Sequence, residues 1–238
     1  MANIALIIAG GRGNRMGQDI PKQFLSVHDK PIIMYTCEAF QTCASIDAIY
    51  IVCIAGWQTT MRAYANQFNI SKLKGIVEGG NNGQESIRNG IREIAAEFND
   101  DDIVLVHDGI RPLVPQELIE EFLQPTNAFG SAITCTPCAE ALLQVEPDDS
   151  SKASVDRDSV KRTQTPQGFP LHVLKEMHSQ AVGAGITNSV ASCTLAIELG
   201  RSVHFCRGSE KNIKLTTVDD VDIFKALLEA RRADWLKR

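Results

Sequence analysis

The residues best suited to chemistry lie near the start of the chain, in the stretch IIAGGRGNRM at residues 7–16. Glycines there allow the backbone to turn sharply and to approach a ligand closely, and cations stand beside them. The residues concerned are Gly10, Gly11, Gly13, Arg12, Arg15 and, slightly later, Lys22. Backbone N–H groups next to fixed cations suit a polyphosphate, so we predict a polyphosphate site here.

Two common phosphate-binding loops do not fit this stretch. A dinucleotide fingerprint that starts at Gly11 requires a glycine at the position of Met16. A Walker loop requires Gly-Lys-Ser or Gly-Lys-Thr, whereas Gly17 is followed by Gln18 and Asp19. A purely structural strand–turn–helix connection is the remaining alternative, but a solvated turn has no need of clustered cations.

The composition is ordinary for a globular enzyme. The chain has 238 residues, of which 44% are hydrophobic and 22% charged, enough for one large domain. Its net charge of -5 argues against broad nucleic-acid binding, which usually requires a basic surface. The first apolar run, Ile4 to Ala9, is too short for a signal peptide or a membrane span, and no later run approaches the length of a span. We therefore expect a cytoplasmic protein.

The seven cysteines do not form a metal-binding pattern. Cys135 and Cys138 make the only C-x-x-C, with no second pair and no histidine at zinc spacing. We expect buried free thiols in a reducing compartment. His28, His172 and His178 lie in polar sequence contexts, and we expect them at the surface.

Short apolar runs alternate with helical patterns along most of the chain. Such alternation predicts an α/β fold with a doubly wound, mostly parallel sheet. The loops at Gly10–Gly13, Gly79–Ser86 and His107–Arg111 each follow a predicted strand, so we expect them to converge on one crevice. Around residues 137–165 the pattern changes to short alternating runs about an acidic, serine-rich turn, which predicts a hairpin arm on a single domain of residues 1–238. The following segment, TPQGFPLHVLKEM, predicts the start of a helix.

Several motifs in order resemble those of a known enzyme family. They are AGGRGNRM…PKQ, a GG….ES segment, VHDGIRP, DR, TQTPQGF and NIKLTT. Together they resemble the cytidylyltransferases that act on polyol phosphates, over nearly the whole chain. The resemblance implies a Rossmann-like nucleotidyltransferase fold and the transfer of CMP from CTP to a polyol phosphate, with Mg²⁺ and release of pyrophosphate. The acceptor phosphate attacks the α-phosphorus directly, so alignment of two anions and neutralisation of charge can supply the catalysis.

The resemblance also implies roles on the nucleotide side. Arg15 and Lys22 hold the triphosphate, and Lys22 is placed for the transition state. The glycine loop lies under the nucleotide, and a second segment recognises cytosine. The residues of these two segments are Ala9, Gly10, Gly11 and Gly13, then Gly80, Asn81 and Ser86.

Asp108 ends a predicted strand in VHDGIRP, where a carboxylate suits Mg²⁺ that bridges phosphates. The alternative from position alone is a helix N-cap for PQELIEEFL. The resemblance favours a role in binding the metal or the ribose.

On the acceptor side, the resemblance implies that Arg157, Thr187 and Lys214 bind the polyol phosphate. Lys214 is also suited to stabilise the α-phosphoryl transition state as a point charge. In this family the arm clasps a second subunit, so Arg157 is expected to complete the partner's site in a homodimer.

The chain departs from the methylerythritol-phosphate branch of the family at the acceptor side. Ala141 replaces a threonine and Asn188 replaces an aspartate, which removes a hydroxyl and a negative charge. On the nucleotide side, Gly83 replaces an arginine and Asn81 an acidic residue, although Asn81 can still accept a hydrogen bond from the cytosine amino group. These changes depart in part from the ribitol branch as well, but the segments KPII, VEGG and DDDIV resemble that branch more. We therefore expect a pentitol phosphate such as ribitol 5-phosphate as acceptor. The alternative is 2-C-methyl-D-erythritol 4-phosphate of isoprenoid biosynthesis.

Two further alternatives belong to other classes. One is a non-catalytic nucleotide-binding regulator, and the other is a sugar-1-phosphate nucleotidyltransferase that uses UTP or another nucleotide. The charged residues Arg15, Lys22, Asp108 and Lys214 all remain, which argues against the regulator. The arm and the TQTPQ segment argue against the sugar-phosphate enzyme.

Overall fold

The structure of the chain is a computed structural model that describes residues 1–11 and 20–232. Seven of its strands form one central sheet, and two pairs of short strands form separate sheets. In chain order the strands are β1 (Asn3–Ala9), β2 (Ser26–Val27), β3 (Lys30–Pro31), β4 (Ala48–Cys53), β5 (Leu73–Glu78), β6 (Ile103–Asp108), β7 (Ala132–Pro137), β8 (Leu142–Gln144), β9 (Ala153–Val155), β10 (Lys161–Pro170) and β11 (Phe205–Arg207).

The central sheet has the strand order β11–β7–β10–β6–β1–β4–β5. Neighbouring strands are parallel except where β10 pairs with β6 and β7. The chain runs outward from β1 to β4 and β5, and then crosses to β6 on the other side of β1. The predicted doubly wound, mostly parallel sheet is confirmed. Its strand order reverses at β1, and ligands bind at the carboxyl ends of strands at such a point.

Helices cover both faces of this sheet. Within the described ranges they are α1 (Ile32–Thr42), α2 (Gln58–Gln67), α3 (Gly83–Ile94), α4 (Gln116–Phe129), α5 (Leu171–Gly183), α6 (Ser192–Glu198) and α7 (Val218–Arg232). Helices α1, α2 and α4 pack on one face, whereas α3, α5 and α6 pack on the other. In these ranges no helix is both long enough and apolar enough to cross a lipid bilayer.

The packing of β1 on both faces explains why its sequence is continuously apolar. Ala5, Ile7 and Ala9 belong to the core under α1, α2 and α4. Ile4 and Leu6 belong to the core under α3, α5 and α6. A strand with helices on both faces buries every side chain, so its sequence lacks the polar alternation of a half-exposed strand.

The structure corrects the prediction for TPQGFPLHVLKEM. Its first residues are the end of β10, and the helix α5 starts only at Leu171. Gln167 and Gly168 pair with β6 on one side and β7 on the other. Pairing with two neighbouring strands therefore outweighs the weak local preference of this segment for a helix. Gly168 also lies directly under α4, because a Cβ added there would stand 2.3 Å from a ring carbon of Phe122.

A short hairpin lies inside the segment that the sequence assigns to an arm. Strands β8 and β9 form an antiparallel hairpin that pairs with no other strand of the described chain. Residues 161–165, which the sequence assigned to the arm at 137–165, belong to β10 of the central sheet. There, Lys161 pairs with Pro137 and Thr163 with Cys135, so β7 and β10 extend the central sheet towards the base of the hairpin.

The expectation of free and mostly buried thiols is confirmed, because all seven cysteines are free and all but Cys206 are buried. The surface prediction for histidine is wrong at His178, which is only 4% exposed. Its place in the helix explains this, since Leu174 and Ala181 lie one turn away on the same buried face of α5. Neither ring nitrogen of His178 has a hydrogen-bond partner among the described residues.

Burial of His178 makes stability depend on pH. Burial, with a smaller contribution from the Arg88 cation, lowers the pKa of His178 to about 4 in the folded chain. The unfolded chain takes up this proton near pH 6.5, so the free energy of unfolding falls as the pH drops from about 7 towards 4, by up to about 1.4 kcal/mol per pH unit for one histidine. We expect His178→Leu to reduce the slope of the free energy of unfolding against pH, measured by urea unfolding from pH 7.5 to pH 5. An equal slope in the variant and the wild-type protein would contradict this account.

Candidate active site

A cleft of about 730 Å³ opens at the switch point of the sheet, where β1, β5 and β6 end and α3 begins. The described parts of the three loops expected to converge therefore do so, with Gly10, Gly79 and Asp108 among the lining residues. Nine residues singled out from the sequence line the cleft: Ala9, Gly10, Gly11, Lys22, Gly80, Asn81, Ser86, Asp108 and Lys214. Residues that are up to 205 positions apart in the chain meet here because the carboxyl ends of parallel strands share one edge.

Of the remaining predicted residues, the two that the structure describes, Thr187 and Arg157, do not line the cleft. Gly13 and Arg15 lie outside the described residues. Thr187 lies beside the cleft, and its backbone oxygen accepts a hydrogen bond of 3.0 Å from Nδ2 of Asn82, which does line the cleft. Arg157 is exposed at the base of the arm, where its guanidinium donates to the backbone oxygen of Ala139 at 3.1 Å.

Glycines at the cleft allow two loops to approach each other closely. A Cβ on Gly10 would lie 3.1 Å from Oγ of Ser86, and one on Gly79 would lie 3.2 Å from Cα of Gly10. The Ser86 hydroxyl accepts from the backbone N–H of Gly80 at 3.0 Å and donates to the backbone oxygen of Asn82 at 2.8 Å. Ser86 thus fixes the shape of the loop that the sequence assigned to cytosine.

The start of α3 presents a polar, ordered turn to the cleft. Asn82 caps the helix by accepting from the backbone N–H of Glu85 at 2.8 Å. The Glu85 carboxylate accepts from the backbone N–H and the side-chain amide of Asn81, each at 2.9 Å, and these bonds lower the pKa of Glu85. Because a carboxylate can only accept, the amide nitrogen of Asn81 faces Glu85. This arrangement fixes the orientation of the Asn81 amide.

Gln23 is a structural residue of the site that the sequence left without a role. Its Nε2 donates to the backbone oxygens of Ala9 at 2.8 Å and Gly11 at 3.1 Å. It belongs to a short 3-10 turn, Lys22–Phe24, whose Phe24 ring stacks on Trp57. Gln23 therefore fastens the turn that carries Lys22 to the end of β1. The PKQ motif contains this glutamine, but residue type alone does not indicate its backbone partners.

Asp108 lies between two cations at the end of β6. Its carboxylate is 3.2 Å from Nζ of Lys214 and 3.0 Å from Nε of Arg111. Burial opposes ionisation, but Lys214 and then Arg111 outweigh it and hold the pKa of Asp108 below its ordinary value. The Arg111 guanidinium also donates to the backbone oxygen of Asn212 at 2.7 Å, which ties the segment before Lys214 to this loop.

A directional chain of hydrogen bonds lies behind Asp108. The His107 ring is buried, and its Nε2 lies 3.1 Å from the backbone oxygen of Arg111, which can only accept, so Nε2 carries the proton. Nδ1 then accepts from the Thr165 hydroxyl at 3.1 Å, and that hydroxyl accepts from the backbone N–H of Asp108 at 3.0 Å. Burial lowers the pKa of His107 to about 4, so the ring is neutral at pH 7 and this order of donors is kept.

The helix-cap alternative for Asp108 is wrong, because α4 begins after Pro115 and Asp108 takes no part in its cap. Asp108 faces the cleft as an ionised carboxylate. In the described part of the chain, no three His, Cys, Asp or Glu side chains cluster as a metal cage would require. One carboxylate beside a phosphate site nevertheless fits Mg²⁺, which is commonly held by one or two carboxylates together with substrate phosphates.

Nearly the whole sequence matches one known protein family. Residues 3–230 match the family described as IspD, 2-C-methyl-D-erythritol 4-phosphate cytidylyltransferase. The chain belongs to this family. The predicted class of enzyme, a nucleotidyltransferase of the cytidylyltransferase type, is thereby confirmed.

Two relatives and one solved structure show how the chain compares within the family. The ribitol-5-phosphate cytidylyltransferase of Lacticaseibacillus paracasei is 39% identical over 229 residues, which cover 95% of this chain and 98% of the relative. The 2-C-methyl-D-erythritol 4-phosphate cytidylyltransferase of Geotalea uraniireducens is 33% identical over 227 residues, with 95% and 96% covered. The crystal structure of the 2-C-methyl-D-erythritol 4-phosphate cytidylyltransferase from Thermus thermophilus is similar with a TM-score of 0.74 and 26% identity, over 95% of this chain and 98% of that one.

Proposed function

We propose that this enzyme transfers CMP from CTP to a pentitol phosphate and that ribitol 5-phosphate is the preferred acceptor. The observation that carries the proposal is the difference in identity between the two kinds of relative, 39% against 33%, over nearly the same length. Both kinds of enzyme have a cytidylyltransferase name, so the difference concerns the acceptor and not the nucleotide.

Two substitutions at the acceptor side support this choice. Ala141 lies at the start of the arm, and Asn188 directly follows Thr187 in the loop beside the cleft. They remove a hydroxyl and a negative charge from the pattern of the methylerythritol-phosphate branch. A site built around one set of hydrogen bonds rejects an acceptor that lacks the matching groups. The second candidate acceptor, 2-C-methyl-D-erythritol 4-phosphate, is supported by the description of the matching family.

The cleft residues can perform the transfer by positioning and by charge. An oxygen of the acceptor phosphate forms a bond to the α-phosphorus of CTP, and the bond from that phosphorus to the bridging oxygen breaks, so pyrophosphate leaves with the electron pair. Lys22 and Lys214 both line the cleft and supply positive charge where the phosphoryl oxygens become more negative. Arg15, which lies outside the described residues, is proposed to bind the triphosphate.

Mg²⁺ is proposed as the cofactor, with Asp108 as its protein ligand. Asp108 is ionised and faces the cleft, and carboxylate oxygens are ligands that Mg²⁺ prefers. When bound, Mg²⁺ would neutralise phosphate charge. Lys214, which pairs with Asp108 in the described structure, holds the carboxylate in place and keeps a cation beside it.

The acceptor site is proposed to be shared between two subunits of a cytoplasmic homodimer. Arg157 does not reach the cleft of its own chain, since it is bonded to Ala139 at the base of the arm. The arm also exposes apolar side chains, with Leu143 63% and Val145 76% accessible. An apolar hairpin of this kind is suited to cover a second copy, which would bring Arg157 to the neighbouring site.

The acceptor is tested by measuring pyrophosphate release with CTP and Mg²⁺ against a panel of phosphates. The panel holds ribitol 5-phosphate, other pentitol phosphates, 2-C-methyl-D-erythritol 4-phosphate and a sugar 1-phosphate, with UTP as the nucleotide control. We expect kcat/KM for ribitol 5-phosphate to exceed that for the methylerythritol phosphate by about 100-fold, because unmatched hydrogen-bonding groups are costly. A preference for the methylerythritol phosphate would mean that Ala141 and Asn188 are tolerated, and it would contradict the proposed acceptor.

The dimer is tested by placing charge on the arm. The double variant Leu143→Asp with Val145→Asp should be monomeric in sedimentation at concentrations where the wild-type protein is dimeric, and it should lose activity with the arm contact. The matched control, Val182→Asp with Ile197→Asp, places the same charges on exposed apolar positions of α5 and the α6 helix. If the arm variant and the control behaved alike, the arm would not be the dimer contact.

A further inference from the structure

Gln84 joins the start of α3 to the loop that contains Thr187. The residue lies in the first turn of α3, between Gly83 and Glu85, which both line the cleft. Its own side chain is buried and bonded to a distant loop: Nε2 donates to the backbone oxygen of Ile186 at 2.7 Å, and Oε1 accepts from the backbone N–H of Ser189 at 2.8 Å. One amide thus satisfies an acceptor and a donor of the same loop.

Two further contacts fasten this loop, residues 186–189. Asn82 donates to the backbone oxygen of Thr187 at 3.0 Å. The Ser189 hydroxyl donates to the carboxylate of Glu198 at the end of α6. Thr187 therefore lies between two anchors that come from the start of α3. The helix turn that forms one wall of the nucleotide cleft also sets the position of the loop beside it.

We propose that Gln84 is a positioning residue for the acceptor: it holds the loop of residues 186–189 at the distance from the nucleotide cleft that the polyol phosphate requires. The inference rests on the proposed function in one respect, namely the assignment of Thr187 to the acceptor site. Gln84 itself does not line the cleft, so its effect is transmitted through the loop and not through contact with substrate.

A neutral amide is the group that this position requires. A carboxylate in its place could still accept from the N–H of Ser189, but its second oxygen would face the backbone oxygen of Ile186, and two acceptors repel. An alanine would leave the partly buried backbone oxygen of Ile186 and the buried N–H of Ser189 without these partners. Either change should let the loop move away from α3 while the cleft wall made by Gly83 and Glu85 keeps its own bonds.

The test compares Gln84→Glu and Gln84→Ala with the wild-type enzyme. We expect kcat/KM for ribitol 5-phosphate to fall about tenfold or more in both variants, since misplacement of an acceptor lowers the rate of transfer. The KM for CTP should change by less than about threefold, because uniform binding of the nucleotide is not altered. Amide hydrogen exchange, measured on the same proteins without substrate, should become faster in the peptide that contains residues 186–189.

Gln41 provides the matched control. It also bridges two groups, donating to the hydroxyl of Ser71 and accepting from the backbone N–H of Lys72, each at 2.9 Å, but it does so away from the cleft. Gln41→Glu and Gln41→Ala should leave both kinetic constants unchanged.

Four outcomes distinguish a failure of the inference about Gln84 from a failure of the proposed function. If the Gln84 variants only melted at a lower temperature and kept wild-type kinetics, Gln84 would be merely structural and the inference would be overturned. Equal rises in KM for CTP and for the acceptor would also overturn it, since the helix turn itself would then be distorted. A selective loss at the acceptor would support it. A wild-type enzyme inactive with every polyol phosphate would overturn the proposed function, and with it the acceptor role of Gln84.

Discussion

The structure of the site depends on the ionised carboxylate of Asp108 between two cations. A half-buried carboxylate at the end of a central strand requires compensation, and Lys214 and Arg111 provide it. Arg111 in turn bonds to Asn212, and Leu215 donates its backbone N–H to Ile110, so the segment around Lys214 is attached to the loop after β6. The pair therefore brings a lysine from 106 positions along the chain into the cleft.

Hydrogen bonds from buried residues behind the cleft also hold Asp108 in place. Thr165, on the antiparallel strand β10, orients the backbone of Asp108 and the ring of His107, and the neutral ring bonds back to Arg111. On the other wall, Ser86 and Asn82 order the start of α3. The switch point of the sheet thus gives the location of the cleft, whereas side-chain bonds to backbone groups give its shape.

Much of this could be predicted from the sequence, because parallel strands buried on both faces have a simple apolar signature and place their following loops at one edge. The errors have physical causes. Strand β10 is stabilised by two neighbours that local sequence does not reveal, and His178 is buried because the turns of α5 place it beside Leu174 and Ala181. Gln23 and Gln84 donate hydrogen bonds to backbone atoms of other segments. Such partners cannot be predicted from residue types and their spacing.

We infer that the transfer depends on the positive charge of Lys214. Single-turnover rates with saturating CTP, Mg²⁺ and acceptor test it most directly in Lys214→Met, which keeps the length of the side chain but removes its charge. The matched control is Lys211→Met, three residues earlier and exposed. The account predicts a rate lower by about 100-fold or more in the first variant, as for other preorganised charges, and an unchanged rate in the second. A wild-type rate in a folded Lys214→Met enzyme would contradict it.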